Sequence, residues 1–137
     1  MLTPQYVAGF FDADGSVIVV FRGDRGTFKI AVDVTNRHRE VVEGIKEFAG
    51  YGNVMSTTRD GREYVFWRAA YQQAAKFLER IEPYLVVKRR RAQLALEFAK
   101  ISSQKSPAIM ARKRELVEAL IAETAKYNTK AAERLQR

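Results

Sequence analysis

The apolar positions of this chain change period several times, and each change marks an element. Val7, Phe10 and Phe11 form an apolar flank at helical spacing, with Thr3 and Pro4 at the N-cap and first helical positions. Residues 16–22 (SVIVVFR) are short and β-branched, and predict a strand. Residues 27–35 (TFKIAVDVT) alternate, with Phe28, Ile30, Val32 and Val34 on one side and Lys29, Ala31, Asp33 and Thr35 on the other. They predict a half-buried strand, joined to the first by turn chemistry at 23–26. Asn36 is placed to cap a helix with Val41, Val42, Ile45 and Phe48 inward, which Gly50 can close. Residues 54–59 and 63–69 predict a second hairpin around Asp60-Gly61. A helix over 71–81 turns Ala74, Phe77, Leu78 and Ile81 inward, and Pro83 interrupts it. Lys88-Arg89-Arg90-Arg91 leads into a helix with Ala92, Ala95, Leu96 and Ala99 on one side. Ser106-Pro107 repeats the start signal of Thr3-Pro4, ahead of Ile109, Leu116, Val117, Leu120 and Ile121. A short charged tail follows from 126 to 137.

The order is αββαββ followed by three helices. Two hairpins separated by helices predict an α+β fold, in which one four-stranded antiparallel sheet carries helices on one face and leaves the other open. The 137 residues are expected to form a single domain, with 1–101 as its core and 102–137 as C-terminal helices. No stretch approaches the ~20 apolar residues of a membrane span. The first residues lack a basic and then apolar leader, so an intracellular chain is expected. The absence of cysteine excludes disulfides and thiolate metal sites, and the single histidine, His38, excludes a His-rich zinc centre.

Charge sharpens the picture. The net charge is +8, which suits nucleic acid or an anionic surface as partner. Residues 1–68 hold nine basic and nine acidic side chains, and residues 69–137 hold fifteen and seven, so the excess lies in the C-terminal half. A solvated basic helix surface gives a similar pattern.

The candidate chemistry sits in residues 6–15, YVAGFFDADG. Gly9 and Ala13 are four apart and leave one helix face nearly bare, which lets another backbone approach. Asp12 and Asp14 fall at the helix C-terminus, where the macrodipole disfavours acids. That end needs a positive group nearby.

The decapeptide resembles the signature helix of the LAGLIDADG homing endonucleases, through Ala8, Gly9, Phe10, Asp12, Ala13, Asp14 and Gly15. The resemblance implies the same αββαββα layout, with the open sheet as a DNA-binding saddle. It implies that two single-motif chains pair through Gly9, Phe10 and Ala13 into a homodimer. Asp14 then ligates a divalent metal, with the backbone carbonyl of Ala13 as a further ligand. Asp12 either binds metal indirectly or holds the helix end together. Relatives use Mg²⁺, for which Mn²⁺ substitutes, while Ca²⁺ binds without efficient cleavage. Asn36 stands where many relatives carry Gln, and Lys88 matches the lysine before the fourth helix; both are implied catalytic residues. The plainer readings are a turn acid for Asp14, a helix cap for Asn36 and a solvated charge run for Lys88. Relatives carry another basic residue near Asn36; here Glu40 stands in its place, and Arg37 or Arg39 would have to substitute.

Alternation puts Ile18, Val20, Arg22, Lys29, Ala31, Asp33, Met55, Thr57, Arg59, Glu63, Val65 and Trp67 on the open face. Arg22, Arg25, Lys29 and Arg59 would donate to guanine or phosphate, and Asp33 and Glu63 would accept from cytosine. Trp67 suits core or dimer packing better. The expected activity is site-specific cleavage of a long, pseudo-palindromic duplex by an intron-encoded enzyme of a prokaryotic cytoplasm, chloroplast or mitochondrion. The alternatives are an intron RNA maturase, a catalytically silent nucleic-acid-binding module, half of a two-motif enzyme, or an unrelated basic domain.

Overall fold

Phe11, Trp67 and Phe77 meet at the centre of the molecule, with the Phe77 ring 5.7 Å from Phe11 and 4.7 Å from Trp67. All three side chains are fully buried. The computed structural model describes residues 1–22, 27–101 and 103–127. Its elements run α1 (Pro4–Asp14), β1 (Gly15–Arg22), β2 (Thr27–Asn36), α2 (Arg39–Ala49), β3 (Asn53–Arg59), β4 (Arg62–Ala70) and α3 (Tyr71–Ile81). A 3-10 turn (Glu82–Tyr84), α4 (Arg89–Ala99) and α5 (Pro107–Ala125) complete them. The predicted order of elements is therefore present. The turn at 23–26, with Arg25, lies outside the described residues, as do the Arg22 side chain and most of the tail.

The four strands form one antiparallel sheet in the order β1-β2-β4-β3. Cross-strand partners share a face. Val17 opposes Val32, Val32 opposes Ala69, and Val34 opposes Trp67. This row is buried under the helices. Val7, Ala8 and Phe11 of α1, Val42 and Ile45 of α2, and Ala74, Phe77, Leu78 and Ile81 of α3 pack into the same core. Fully burying one such large side chain contributes about 1.5–3 kcal/mol.

Three expectations are corrected. First, Glu63, Val65 and Trp67 lie on the helix side of β4. The Asp60-Gly61 turn is a two-residue hairpin, with φ of 53° and 74°. It sets Arg59 opposite Arg62, not opposite Glu63. A one-residue slip moves every side chain to the other face. Val65 and Trp67 are core, and Glu63 forms an ion pair with Arg39 of α2 at 3.1 Å. Second, Asn36 ends β2 and does not cap α2. His38 flanks the helix, and the Asn36 Oδ1 accepts from its backbone N–H at 2.8 Å. Third, the inward face of α4 holds Arg91, Leu94 and Phe98 alongside the expected Ala92 and Ala95, while Leu96 and Ala99 are half-buried. A buried arginine conceals such a face from a reading based on apolar spacing.

Candidate metal centre and nucleic-acid interface

Thr3 and Pro4 start α1, and the Thr3 Oγ1 accepts from the Tyr6 N–H at 3.1 Å. Burial of Val7, Ala8 and Phe11 fixes the roll of this helix. Gln5, Tyr6, Gly9, Ala13 and Asp14 are consequently exposed, and Phe10 is half-buried. A Cβ on Gly9 would meet nothing within 4 Å. The bare stripe therefore faces outward. Gly15 ends the helix with ordinary extended backbone, φ −89° and ψ 162°. Its glycine is required by space, because a Cβ there would overlap the Phe11 ring.

The two acids at the end of α1 have different surroundings. Asp12 is fully engaged: its Oδ2 accepts from the Val86 N–H at 2.8 Å, and its Oδ1 from the Lys88 N–H at 2.9 Å. It staples the segment before α4 to α1. Asp14 is exposed, and its Oδ2 accepts from the Asn36 side-chain amide at 2.9 Å. Asn36 is held in turn by the His38 N–H on its oxygen, which leaves its nitrogen as the donor toward Asp14.

Lys88 supplies the positive group that the helix end needs. Its ammonium donates to the carbonyls of Phe11 and Asp12 at 3.0 and 2.8 Å. These carbonyls belong to the last turn, where helical partners run out after the Gly15 N–H bonds the Phe11 carbonyl. The Ala13 carbonyl lies in the same turn. Lys88 is 7% exposed. Burial pushes its pKa below the usual lysine value, Arg91 adds to this, and Asp12 and Asp14 oppose it. The structure thus brings Asp12, Asp14, Asn36 and Lys88 to one end of α1. Arg39 is turned to Glu43 and Glu63, at 3.6 and 3.1 Å.

The oxygen donors suit a hard divalent cation. Asp14 is the acid with an uncommitted oxygen, since both Asp12 oxygens are bound to amides. No group of three or more His, Cys, Asp or Glu side chains able to hold a metal occurs among the described residues. Among the two acids of this helix end, Asp14 alone keeps an oxygen without a hydrogen bond.

The open sheet face is a mixed surface. Asp33 opposes Arg68, which opposes Asn53. Lys29 opposes Val20, Ala31 opposes Ile18, and Arg59 opposes Arg62. Thr35 and Met55 flank Phe66, and Thr57 opposes Tyr64. The Arg68 guanidinium contacts the Asp33 Oδ2 at 3.1 Å, so the Asp33 carboxylate is already paired. The Lys29 ammonium sits over the Tyr71 ring, 5.3 Å from its centroid. Arg62, Tyr64, Phe66 and Arg68 belong to this face and were hidden by the β4 register. Counting outward from the Asp-Gly turn as a two-residue hairpin would have exposed them.

No family model matches the sequence, and no curated protein matches it. The fold does have solved counterparts. The homing endonuclease I-CvuI, in complex with its target and calcium, is 24% identical with a TM-score of 0.76, and the match covers 88% of this chain and 80% of that one. The archaeal intron-encoded homing endonuclease I-Vdi141I, complexed with DNA, is 25% identical with a TM-score of 0.73, over 88% of this chain and 82% of that one. The meganuclease I-SmaMI, bound to uncleavable DNA, is 17% identical with a TM-score of 0.73, and this chain covers 45% of its length. With the motif on α1 and this sheet beside it, the chain has the fold of the LAGLIDADG homing endonucleases and is similar to that family.

Proposed function

We propose that the chain is a site-specific, double-strand DNA endonuclease that works as a homodimer with a divalent metal at Asp14. The observation that carries this reading is the end of α1. An exposed carboxylate is oriented by Asn36, beside a bare helix face that a second copy can approach. Structural neighbours support the substrate class, because those named above are complexes with DNA. One of them is described with calcium, and the same enzyme with magnesium and uncleaved DNA.

Asp14 and the Ala13 carbonyl are the groups that would hold the cation, with their counterparts from the second copy. Two facing carboxylates would repel, and a hard cation resolves that conflict. When bound, it supplies the Lewis acidity that phosphodiester hydrolysis requires. Asn36 fixes the Asp14 carboxylate. Lys88 compensates the helix end and keeps it from fraying. The sheet face offers Lys29, Arg59, Arg62 and Arg68 to the duplex, with Phe66, Met55 and Thr57 between them. Such a mixture fits reading of base edges better than a uniformly basic groove does.

Incubation with a randomised duplex library tests this. Double-strand cuts at a defined sequence are expected with Mg²⁺, and none with EDTA. Asp14→Asn should reduce cutting to background while leaving the fold intact. Full cutting by that variant would remove Asp14 from the reaction. Tight binding of structured RNA without DNA cleavage would favour the maturase reading.

A further inference from the structure

A second polar site lies behind the first. Asp12, Gly15, Ser16, Val17, Lys88, Arg91, Thr124 and Tyr127 are among the residues that line a cavity of about 300 Å³. Two of them are buried cations one helical turn apart, Lys88 and Arg91, each 7% exposed. Lys88 is accounted for by the α1 carbonyls. Arg91 is not. Its Nε is buried without a hydrogen-bond partner. No ion pair engages its guanidinium among the described residues, and its one ring contact is the Tyr127 face at 5.4 Å.

A buried guanidinium N–H without an acceptor is costly. A buried, unsatisfied polar group costs roughly 1–3 kcal/mol, and more when charged. The one carboxylate on the cavity wall, Asp12, has both oxygens committed to amides. The first turn of α4, which carries Arg89 to Arg91, adds its own positive end. The Arg91 guanidinium and the start of α4 therefore favour an anion, with Asp12 as the opposing charge. Its volume admits one tetrahedral group, and a guanidinium fork matches phosphate oxygens.

We infer that the cavity between α1, α4 and the end of α5 is a phosphate-binding pocket, in which Arg91 takes one phosphodiester of the DNA backbone. The inference rests on the proposed DNA-binding function, and extends it to a contact off the sheet face. Arg91 would position the strand and read no base. It also ties the last turn of α5 to the duplex through the Thr124 and Tyr127 walls.

Binding of unrelated duplexes, measured against salt concentration with Ca²⁺ present, tests the pocket, because phosphate contacts are independent of sequence. Wild-type protein should show a linear fall of log K with log salt. Arg91→Met should weaken binding equally for all duplexes and make the slope shallower by about 1. Arg91→Lys should restore most of the slope. Arg91→Met should also melt at the same temperature as wild type or higher, since an unpaired buried charge has been removed. Arg91→Gln gives the same slope test should the methionine variant fold poorly. An unchanged slope in Arg91→Met and Arg91→Gln, with wild-type binding intact, overturns the pocket and leaves the nuclease reading standing. A lower melting temperature with an unchanged slope makes Arg91 structural and overturns it as well. No salt-dependent binding by wild type overturns the DNA reading itself.

Discussion

Asp12 and Asp14 are two residues apart, and the structure gives them different surroundings. Asp12 accepts two backbone amides from the segment before α4, so it braces that segment against α1. Removing an acceptor from two such amides leaves them unsatisfied, at roughly 1–3 kcal/mol each before relaxation and solvent access. Asp12→Ala is therefore expected to lower the unfolding free energy by about 2 kcal/mol in urea titration. Asp14→Asn keeps an acceptor for Asn36 on an exposed site, and should change stability by less than about 0.5 kcal/mol. Equal effects of the two substitutions on stability would erase this distinction. Tyr51 supplies a separate test. Its hydroxyl is buried and unpartnered, and burial raises its pKa above 10.0, with Arg80 opposing. The unfolded tyrosine therefore ionises first. Its contribution is present below pH 10 and is lost as pH rises from the unfolded value through the raised folded one. Tyr51→Phe should flatten the decline in stability above pH 10, seen as a smaller drop in melting temperature; an unchanged decline would mean that Tyr51 ionises freely when folded.

At the scale of elements, the sequence was most legible where a period or a cap had a single physical cause. The inward residues of α3, Ala74, Phe77, Leu78 and Ile81, are all fully buried as their spacing requires. Ser106 caps α5 through its hydroxyl, as Thr3 caps α1. The face of β4 was misread because alternation carries no origin of its own, and only the hairpin's turn length supplies one. The site was legible in its residue types but not in its wiring. That Lys88 would lie on the α1 carbonyls depends on a contact across more than seventy residues. That Arg91 would be buried contradicts its charge, and no local pattern announces it. Gly15 shows a related limit. A glycine after a helix commonly serves as a stop through its backbone, whereas here the Phe11 ring leaves no room for a Cβ. Gly15→Ala should thus destabilise through overpacking, by about 1–3 kcal/mol, in denaturant unfolding. A neutral or stabilising effect would show that the Phe11 ring can shift away without cost.

For the whole molecule, the exposed side of α1 is the feature that a single copy does not explain. Glycine inside a helix is unfavourable by roughly 0.8–1.0 kcal/mol relative to alanine. Gly9 is exposed and has open space around it, so nothing among the described residues requires a glycine there. Tyr6 and Phe10 stack beside it with ring centroids 6.3 Å apart, and Tyr6 remains 49% exposed. The segment stapled by Asp12 exposes Val86 and Val87, at 79% and 51%. A second α1 packed against the Gly9–Ala13 stripe would cover the bare backbone and bring two Asp14 carboxylates to one place. Two-fold symmetry then supplies one half-site per strand. Gly9→Gln separates the chain's own stability from that of the assembly. Glutamine is a good helix former, and a Cβ at this position meets nothing within 4 Å among the described residues, so the isolated subunit should gain up to about 1 kcal/mol. Between two helices the same side chain would hold the backbones apart. Sedimentation should give a dimer for wild type and a monomer for Gly9→Gln. The wild-type unfolding midpoint should rise with protein concentration, and that of the variant should not. Double-strand cutting should be lost although Asp14 is intact. A Gly9→Gln protein that remains dimeric and cuts both strands would place the interface elsewhere, and would remove the second carboxylate from the proposed metal site.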